Sequence, residues 1–283
     1  MIINYAFFGT PEFSRIILEK LIQAKMLPAV VICNPDRPSG REKIIIPPPT
    51  KIIAEKNSIK VLQPKELDAE KLKSEIEKPG GLNLAIVAAY AKIIPKEILN
   101  LLPNKFLGVH PSLLPKYRGA TPIQSVIVNN EKTTGVTLYL LNEKMDNGPI
   151  LTQSELEISK KETYESLHNK LANLSAELLI KTLSDFAENK IIPKSQNHAQ
   201  ASFTKKINTE DAFINYQSLI KAQEKGGEIA KEIDRKIRAF NPEPGTWTLD
   251  NEQKRIKLLE SEIKNDKLEL KKIQKEGKKP IYL

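Results

Sequence analysis

Short apolar runs alternate with helical patterns through the first half of the chain. The runs have the length of buried strands and comprise Ile2 to Phe8, Ala29 to Cys33, Ile59 to Leu62, Leu82 to Ala88, Phe106 to Val109 and Val136 to Leu141. Between the first two runs, apolar residues recur every three to four positions, as they do along one face of a helix. Strands that alternate with helices predict an α/β fold with a parallel sheet.

The pattern changes in the second half. Residues 162 to 189 carry leucines at helical spacing and predict one long amphipathic helix. Residues 190 to 208 are rich in lysine, serine and amides and contain Pro193, without a helical period, which is typical of a linker. A polar helical stretch and short alternating runs follow and predict a small β domain. We therefore expect a large domain at 1–189, a linker at 190–208 and a second domain at 209–283.

Composition narrows the class of protein. Hydrophobic residues make up 40% and charged residues 28% of 283 residues, within the range of globular proteins. The net charge of +9 favours an anionic partner such as nucleic acid, or reflects the solvated faces of a lysine-rich chain. A single cysteine, Cys33, excludes an internal disulfide and a cluster of thiolate ligands. No apolar stretch approaches the roughly 18 residues of a membrane span, and no leader pattern is present, so we expect a cytoplasmic protein without a membrane partner. We also expect a monomer.

The strongest chemical signal lies in residues 107 to 151. One apolar run there ends at His110, and the next leads into a loop with Asp146. In a parallel sheet both loops lie at the same edge, so we expect the two side chains to meet. A neutral imidazole can take a proton from an attacking amine, and a carboxylate beside it fixes the tautomer and supports the cation that forms. No nucleophile elbow or metal-ligand spacing is present, which favours direct transfer between two bound substrates.

Three other segments have two interpretations each. The stretch from Asn34 to Pro49 carries Arg37, Arg41 and Lys43 on a loop that either reaches toward phosphates or is a solvated surface. Small residues after the strand that ends at Ala88 either let a ligand approach the backbone or form a turn that only packs. Residues 254 to 283 hold 10 basic and 5 acidic residues, which suits a nucleic-acid surface or an ordinary solvated face.

Six blocks of the sequence resemble the methionyl-tRNA formyltransferase family, in the same order and over almost the whole chain. They read FFGTPEF at 7–13, DRPSGR at 36–41, HPSLLPKYRGATPIQ at 110–124, TGVTLYLL at 134–141, MDNGPIL at 145–151 and RAFNPEPGTW at 238–247. The HPSLLP and MDNGPI blocks are shared by the wider superfamily of formyltransferases that use 10-formyltetrahydrofolate. The 36–41 loop and the C-terminal module narrow the acceptor to tRNA.

This resemblance implies a fold, a reaction and site residues. The fold is a Rossmann-like parallel-sheet catalytic domain followed by a shortened OB-like β-barrel. The reaction moves a formyl group from 10-formyltetrahydrofolate to the α-amine of initiator methionyl-tRNA, without a metal, with His110 as general base and Asp146 orienting it. The implied folate contacts are Ser112, Leu113, Leu114 and Pro115, with Ala88, Ala89 and Tyr90 nearby. The implied tRNA contacts are Arg37, Arg41 and Lys43.

One position departs from the family. The family usually reads Asn-x-His, whereas Gly108 stands two residues before His110. An amide that holds a developing oxyanion contributes on the order of a hundredfold in rate. Three explanations are open: a backbone N–H or water replaces it, an amide such as Asn142 or Asn147 does so, or the protein is a weakened enzyme.

Two alternative functions follow from these observations. One is a formyltransferase that acts on an amino-sugar nucleotide, since such enzymes share the central blocks. The other is a folate- or RNA-binding protein whose catalysis is weakened at Gly108. We prefer formyl transfer to tRNA with a substitute for the missing amide, because the other blocks are all retained.

Overall fold

The computed structural model describes residues 3–39, 43–78, 81–102 and 105–283. The chain forms two compact units. The first comprises residues 1–118, 135–156 and 169–202, and the second comprises residues 119–134, 157–168 and 203–283. The domain boundaries expected from the sequence, with a linker at 190–208, stay a prediction.

Strands and helices alternate in the described part of the chain. The strands are β1 (Tyr5–Phe8), β2 (Val30–Ile32), β3 (Arg37–Ser39), β4 (Ile44–Ile46), β5 (Lys60–Leu62), β6 (Leu84–Ala88), β7 (Phe106–His110), β8 (Arg118–Gly119), β9 (Thr133–Leu140), β10 (Ile150–Glu157), β11 (Phe203–Thr204), β12 (Trp247–Leu249), β13 (Arg255–Lys264), β14 (Lys267–Lys275) and β15 (Ile281–Tyr282). The α-helices are α1 (Glu12–Gln23), α2 (Pro49–Lys56), α3 (Ala69–Ile76), α4 (Lys96–Leu99), α5 (Pro122–Val128), α6 (Tyr164–Ala187), α7 (Tyr216–Glu224) and α8 (Glu228–Phe240). Two short 3₁₀ helices lie at His198–Gln200 and Glu210–Ala212.

A seven-stranded sheet organises the first unit, in the order β10-β9-β7-β6-β1-β2-β5. The five strands from β7 to β5 in this order run parallel, as the alternation of strands and helices predicts. The α/β class is therefore confirmed. Strand β9 instead pairs with β7 antiparallel, so the expectation that these two strands are parallel is wrong and the sheet is mixed. A strand buried on both faces reads as a continuous apolar run in either direction, and the pattern does not encode which way it runs.

The turn after β1 brings two strand ends together. A Cβ atom added to Gly9 would lie 2.6 Å from the Cβ of Ser14 and 2.9 Å from the carbonyl oxygen of Ala88, so only glycine lets the chain pass this close. The hydroxyl of Ser14, on α1, donates to that same oxygen of Ala88 at 2.6 Å. The first helix is therefore joined to the carboxyl end of β6, at the edge where α/β sheets place their ligands.

The core of this unit contains the apolar runs that predict the strands. Its fully buried strand residues pack with the apolar faces of the neighbouring helices and turns, and the cluster includes Ala6, Phe8, Val30, Ile32, Leu72, Leu82, Ala85, Tyr90, Ile94, Ile98, Leu102 and Phe106. Burial of this kind is the main stabilising contribution to such a fold. The sheet is therefore a firm base for the residues at its edge.

A four-stranded antiparallel sheet, in the order β12-β13-β14-β15, forms the second unit with α7 and α8. The side chain of Asn215 caps α7 by accepting a hydrogen bond from the backbone N–H of Ser218 at 3.1 Å. Helix α8 packs on β13 and α7 packs on β14, which buries apolar residues of both layers, among them Leu219, Ile233, Ile237, Leu258, Leu268 and Ile273. The small C-terminal β domain predicted from the alternating runs is confirmed as this sheet.

No helix within the described ranges is long and apolar enough to cross a membrane.

Candidate active site

A buried histidine ends the strand β7. All five residues of the strand are buried, and His110 exposes 6% of its surface. Its Nε2 lies 2.8 Å from the carbonyl oxygen of Tyr117. A carbonyl oxygen can only accept, so Nε2 carries the proton and donates it. The neutral ring therefore keeps its basic lone pair on Nδ1.

The carboxylate of Asp146 lies on the Nδ1 side of the ring. The distance from Nδ1 of His110 to Oδ2 of Asp146 is 3.6 Å, longer than a direct hydrogen bond but within range of a charge interaction with a protonated ring. A proton taken up at Nδ1 would therefore be stabilised by the anion. The backbone carbonyl of Tyr117 holds the tautomer, a task that the sequence pattern suggested for the carboxylate.

The direction of the strands does not explain why His110 and Asp146 lie close together. Because β9 runs antiparallel to β7, His110 pairs with Thr137, whereas the last residue of β9, Leu140, pairs with Leu107 near the opposite end of β7. The loop after β9 then closes, with the N–H of Leu140 donating to the carbonyl oxygen of Pro149 at 2.8 Å. The loop itself, and not the end of a parallel strand, brings Asp146 to His110.

A buried hydrogen-bond network holds the backbone of this loop. The side-chain amide of Gln196 donates to the carbonyl oxygens of Asp146 at 2.9 Å and Gly148 at 2.7 Å. The guanidinium of Arg118, 3% exposed, donates to Oε1 of Gln196 from Nε at 3.2 Å and from Nη2 at 2.5 Å, and to Oδ1 of Asn147 from Nη1 at 2.9 Å. Arg118 and Gln196 therefore act as supports of Asp146, although they lie 78 positions apart in the chain.

The aromatic ring of Tyr139 covers Gly108. The two residues pair in the register of β9 and β7. A Cβ atom added to Gly108 would lie 2.6 Å from Cζ of Tyr139 and 2.6 Å from Cδ1 of Leu141, closer than real Cβ contacts allow. The hydroxyl of Tyr139 donates to Oδ1 of Asp146 at 2.7 Å. The space that a side chain at position 108 would enter is thus filled by a residue that contacts the candidate catalytic carboxylate.

The environment keeps this phenol protonated. Burial, and next the negative charge of Asp146, raise the pKa of Tyr139 well above its usual value. Both causes disfavour the phenolate. The hydroxyl therefore serves as a hydrogen-bond donor throughout the physiological range of pH.

The two loop amides considered as replacements for the family's asparagine have partners of their own. Oδ1 of Asn142 accepts from the backbone N–H of Lys144 at 3.0 Å, and Oδ1 of Asn147 accepts from Arg118. These bonds tie both side chains to the loop and its supports. The explanation that one of these amides replaces the missing asparagine gains no support from their positions.

The block from Ser112 to Pro115 has a tightly held backbone. The hydroxyl of Thr137 donates to the carbonyl oxygen of Ser112 at 2.6 Å and accepts from the N–H of Leu114 at 3.0 Å. The amide of Gln153 donates to the carbonyl oxygen of Leu114 at 2.9 Å. Strands β9 and β10 thereby fix this segment directly after His110.

Within this block the side chains have different environments. Ser112 is buried and its hydroxyl donates to the carbonyl oxygen of Lys116 at 2.7 Å. Leu114 is also buried, whereas Leu113 and Pro115 are half-buried. Leu113 lies over Gly135, where an added Cβ would come within 2.6 Å of its Cδ2. The block therefore offers fixed backbone and partly open apolar surface.

The end of β6 reaches the same edge as His110. Ala88 pairs with Val109, so the chain leaves β6 beside the histidine. Ala88 is buried, and Ala89 is exposed with a left-handed φ of 47°. The side chain of Tyr90 turns away into the core, 2% exposed, with its ring 5.4 Å from that of Phe8. At this edge Ala89 and the main chain, and not the Tyr90 ring, face outward.

The basic segment at 34–49 contains a short antiparallel hairpin of β3 and β4, where the sequence predicts only a loop. Strands of three residues are too short for their pattern to be recognised. Arg37 and Lys43 are exposed on this hairpin, and Arg41 lies outside the described residues. The ammonium group of Lys51 is 2.8 Å from Asp36 and, with Gln63, lowers the pKa of that carboxyl. This ion pair ties the base of the hairpin to α2.

Five residues that support the site were not found from the sequence. Thr137 and Tyr139 are two residues apart on β9 and so point to the same face of the sheet. The continuous apolar run concealed this signal. Gln153, Arg118 and Gln196 carried no local signal, because their partners are distant in the chain. Among the residues that the structure describes, no three His, Cys, Asp or Glu side chains are grouped so that they could hold a metal ion.

Comparison with known families and proteins agrees with this architecture. The family model described as formyl transferase matches residues 3–183, and the model described as formyl transferase, C-terminal domain, matches residues 206–269. The methionyl-tRNA formyltransferase of Buchnera aphidicola is 40% identical over 246 residues, which are 87% of this chain and 75% of the relative. The protein of the same name from Dictyoglomus thermophilum is 41% identical over 250 residues, 86% of this chain and 74% of the relative.

Solved structures of more distant proteins share the fold. The sugar 3N-formyl transferase WlaRD has a TM-score of 0.65 at 21% identity, covering 94% of this chain and 88% of that one. HypX from Aquifex aeolicus, in complex with tetrahydrofolic acid, has a TM-score of 0.64 at 16% identity, covering 99% of this chain and 45% of that one. At these identities the likeness concerns the fold alone.

Proposed function

Because this chain belongs to the formyl transferase family, we propose that it transfers a formyl group from 10-formyltetrahydrofolate to the α-amine of initiator methionyl-tRNA. The chain is a formyltransferase. The choice of acceptor follows the name shared by relatives that are 36% to 41% identical over most of the chain.

The observation that carries the proposal is the pairing of His110 and Asp146 at the sheet edge. The α-amine attacks the formyl carbon and a new N–C bond forms. Nδ1 of His110, whose lone pair is free because Nε2 donates to Tyr117, takes the proton that the amine loses. The carboxylate of Asp146, 3.6 Å away, stabilises the imidazolium. The bond from the formyl carbon to N10 then breaks, and N10 receives a proton to give tetrahydrofolate.

The formyl donor would be held by residues at the same edge. The backbone of Ser112 to Pro115 is fixed by Thr137 and Gln153, and the exposed turn at Ala89 leaves β6 beside His110. Rigid main-chain groups next to small side chains suit a flat heterocycle, which main-chain amides can recognise at close approach. We therefore assign the folate to this edge, with its formyl group beside His110 and open to the attacking amine.

The tRNA would meet basic groups that lie on the surface. Arg37 and Lys43 are exposed on the hairpin, and Arg41 is expected to add a third cation. The excess of basic over acidic residues at 254–283 adds positive charge in the C-terminal unit. Phosphate contacts of this kind supply affinity that depends on salt. A monomeric state and a cytoplasmic location, both expected from the sequence, stay predictions.

A transfer assay tests this function. Purified protein is mixed with formyl-labelled 10-formyltetrahydrofolate and one of three acceptors: charged initiator tRNA, the same tRNA without methionine, and an amino-sugar nucleotide. We expect label in acid-precipitable methionyl-tRNA only. Label on the sugar nucleotide and none on the tRNA would establish the alternative acceptor. No product at stoichiometric enzyme would overturn the proposal and favour a binding protein.

A further inference from the structure

Tyr139 stands beside the candidate catalytic pair on the same face of the sheet. His110 and Gly108 are two residues apart on β7, so both point to one face, and Thr137 and Tyr139 face them from β9. The ring of Tyr139 therefore lies over Gly108 and next to His110. Strand pairing fixes the backbone from which this ring projects.

The carboxylate of Asp146 is shared between these two neighbours. Oδ1 accepts from the hydroxyl of Tyr139 at 2.7 Å, and Oδ2 faces Nδ1 of His110 at 3.6 Å. Asp146 lies on a loop with a left-handed φ of 49°, and Gln196 donates to its backbone carbonyl oxygen. The hydroxyl of Tyr139 thus binds the carboxylate oxygen that does not face the histidine.

Gly108 is the structural complement of this tyrosine. A Cβ atom at position 108 would collide with the ring at 2.6 Å from Cζ, so the ring reaches Asp146 only over a glycine. Gly108 leaves position 108 without a side chain, and the side chain of Tyr139 from the neighbouring strand occupies that space. Gly108 and Tyr139 therefore form one unit, defined here as the Gly108–Tyr139 pair.

We propose that Tyr139 is a positioning residue for formyl transfer, which acts through Asp146 by fixing the carboxylate against His110, and that Gly108 provides the space for its ring. This inference rests on the proposed function, since it assumes that His110 and Asp146 move the proton. It also accounts for a site that lacks a side chain at position 108: the chain orients the carboxylate with a phenol from β9.

Tyr139→Phe tests the proposal with the ring retained. We expect kcat for transfer to methionyl-tRNA to fall on the order of tenfold, the size expected when a hydrogen bond to a charged group is removed, while the KM values change less than twofold. The matched control is Tyr5→Phe, which removes a buried hydroxyl that donates to the carbonyl oxygen of Met26 and should leave kcat unchanged. An unchanged kcat in Tyr139→Phe overturns the proposal.

Single-turnover rates in the Asp146→Asn background show whether Tyr139 acts through the carboxylate. If it does, adding Tyr139→Phe to Asp146→Asn lowers the rate no further. A tenfold reduction in both backgrounds means a role that does not pass through Asp146 and contradicts the proposal. Melting temperatures of all variants separate this effect from a failure to fold.

A spectroscopic measurement keeps the two proposals distinguishable. The chain has 3 histidines, so long-range ¹H–¹⁵N spectra of the imidazoles can be assigned with His168→Gln and His198→Gln. Tyr139→Phe should shift the ring signals of His110, and Tyr5→Phe should not. If the wild-type protein transfers no formyl group, the proposed function fails, yet this shift still reports the Tyr139 contact. Unchanged His110 signals overturn the positioning role whatever the activity.

Discussion

Nδ1 of His110 lies 3.6 Å from Oδ2 of Asp146, although the strands that precede these two residues run in opposite directions. The carbonyl of Tyr117 fixes the tautomer at Nε2, and the carboxylate faces the nitrogen that is left to accept a proton. The proposed catalytic arrangement therefore depends on a loop that returns along the sheet. Substitution of the residues that hold this loop, or that contact the carboxylate of Asp146, therefore tests the proposed mechanism.

Removal of either member of this pair should stop proton transfer. We expect His110→Ala and Asp146→Asn to lower kcat by about 10²–10⁴-fold, the usual contribution of a positioned acid or base. Folate affinity, measured by calorimetry, should change little. His168→Gln, on α6, is the control and should retain wild-type kcat. Normal turnover in either site variant would remove the pair from the mechanism.

A side chain at position 108 should lower both kcat and the free energy of unfolding. Gly108→Asn restores the residue type usual in the family, but its Cβ would meet the Tyr139 ring and displace it from Asp146. We expect a fall in kcat and a decrease of about 1–3 kcal/mol in the free energy of unfolding, as for overpacked cores. Gly277→Asn is the control, because no heavy atom lies within 4 Å of the added Cβ and asparagine is among the residues that best tolerate the left-handed φ of 68° at that position. A raised kcat would show that the site was merely lacking an amide.

The Gly108–Tyr139 pair also predicts compensation. Gly108→Ala should cost less stability and less activity when Tyr139 is already replaced by alanine, since the ring that opposes the new Cβ is then gone. Strictly additive effects, measured by urea unfolding and by kcat, would contradict the packing described for the pair.

Gln196 should matter for both stability and rate. Gln196→Ala removes the acceptor of the buried Arg118 and the donor to the loop at Asp146, so we expect the free energy of unfolding to fall by about 1.5–3 kcal/mol and kcat to fall with it. Gln200→Ala, an exposed neighbour in the same segment, is the control. An effect on stability alone would mean that the loop keeps Asp146 in place without Gln196.

The basic hairpin should govern the affinity for tRNA. Arg37→Ala, Arg41→Ala and Lys43→Ala should each raise KM for tRNA and lower the slope of log KM against log salt by about one for each phosphate that is no longer neutralised. Lys20→Ala, exposed on α1, should change neither quantity. If the salt slopes of Arg37→Ala, Arg41→Ala and Lys43→Ala equal those of Lys20→Ala and the wild type, this segment is an ordinary solvated surface.

Tyr139 predicts an alkaline dependence of stability. Its pKa is raised in the folded protein, so the unfolded chain loses this proton first as the pH increases. The contribution of protonated Tyr139 to the free energy of unfolding is complete below the pKa of the unfolded chain, near 10, and is lost as the pH rises toward the pKa of the folded protein. We expect the decline in unfolding free energy between about pH 9 and about pH 11 to be smaller in Tyr139→Phe than in the wild type. An identical decline in urea titrations would place Tyr139 outside this effect.

The alternation of strands and helices in the first half of the chain, the small C-terminal β domain and the position of His110 at the end of a buried strand were determined by the sequence itself. Hydrophobic periodicity reports which residues are buried and at what spacing, and that information suffices for an α/β alternation. The blocks around His110 and Asp146 also carried the family resemblance, since groups that perform chemistry occur in short contiguous motifs.

Only the tertiary structure decided how the site is held. A buried strand has the same apolar pattern in either direction, so the antiparallel course of β9 was not predictable, and with it the place of Tyr139 opposite Gly108. The support of Asp146 by Gln196, and of Gln196 by Arg118, joins residues distant in the chain, for which local patterns hold no information. The sequence shows only that position 108 lacks a side chain. The folded chain shows that the ring of Tyr139 packs over this glycine.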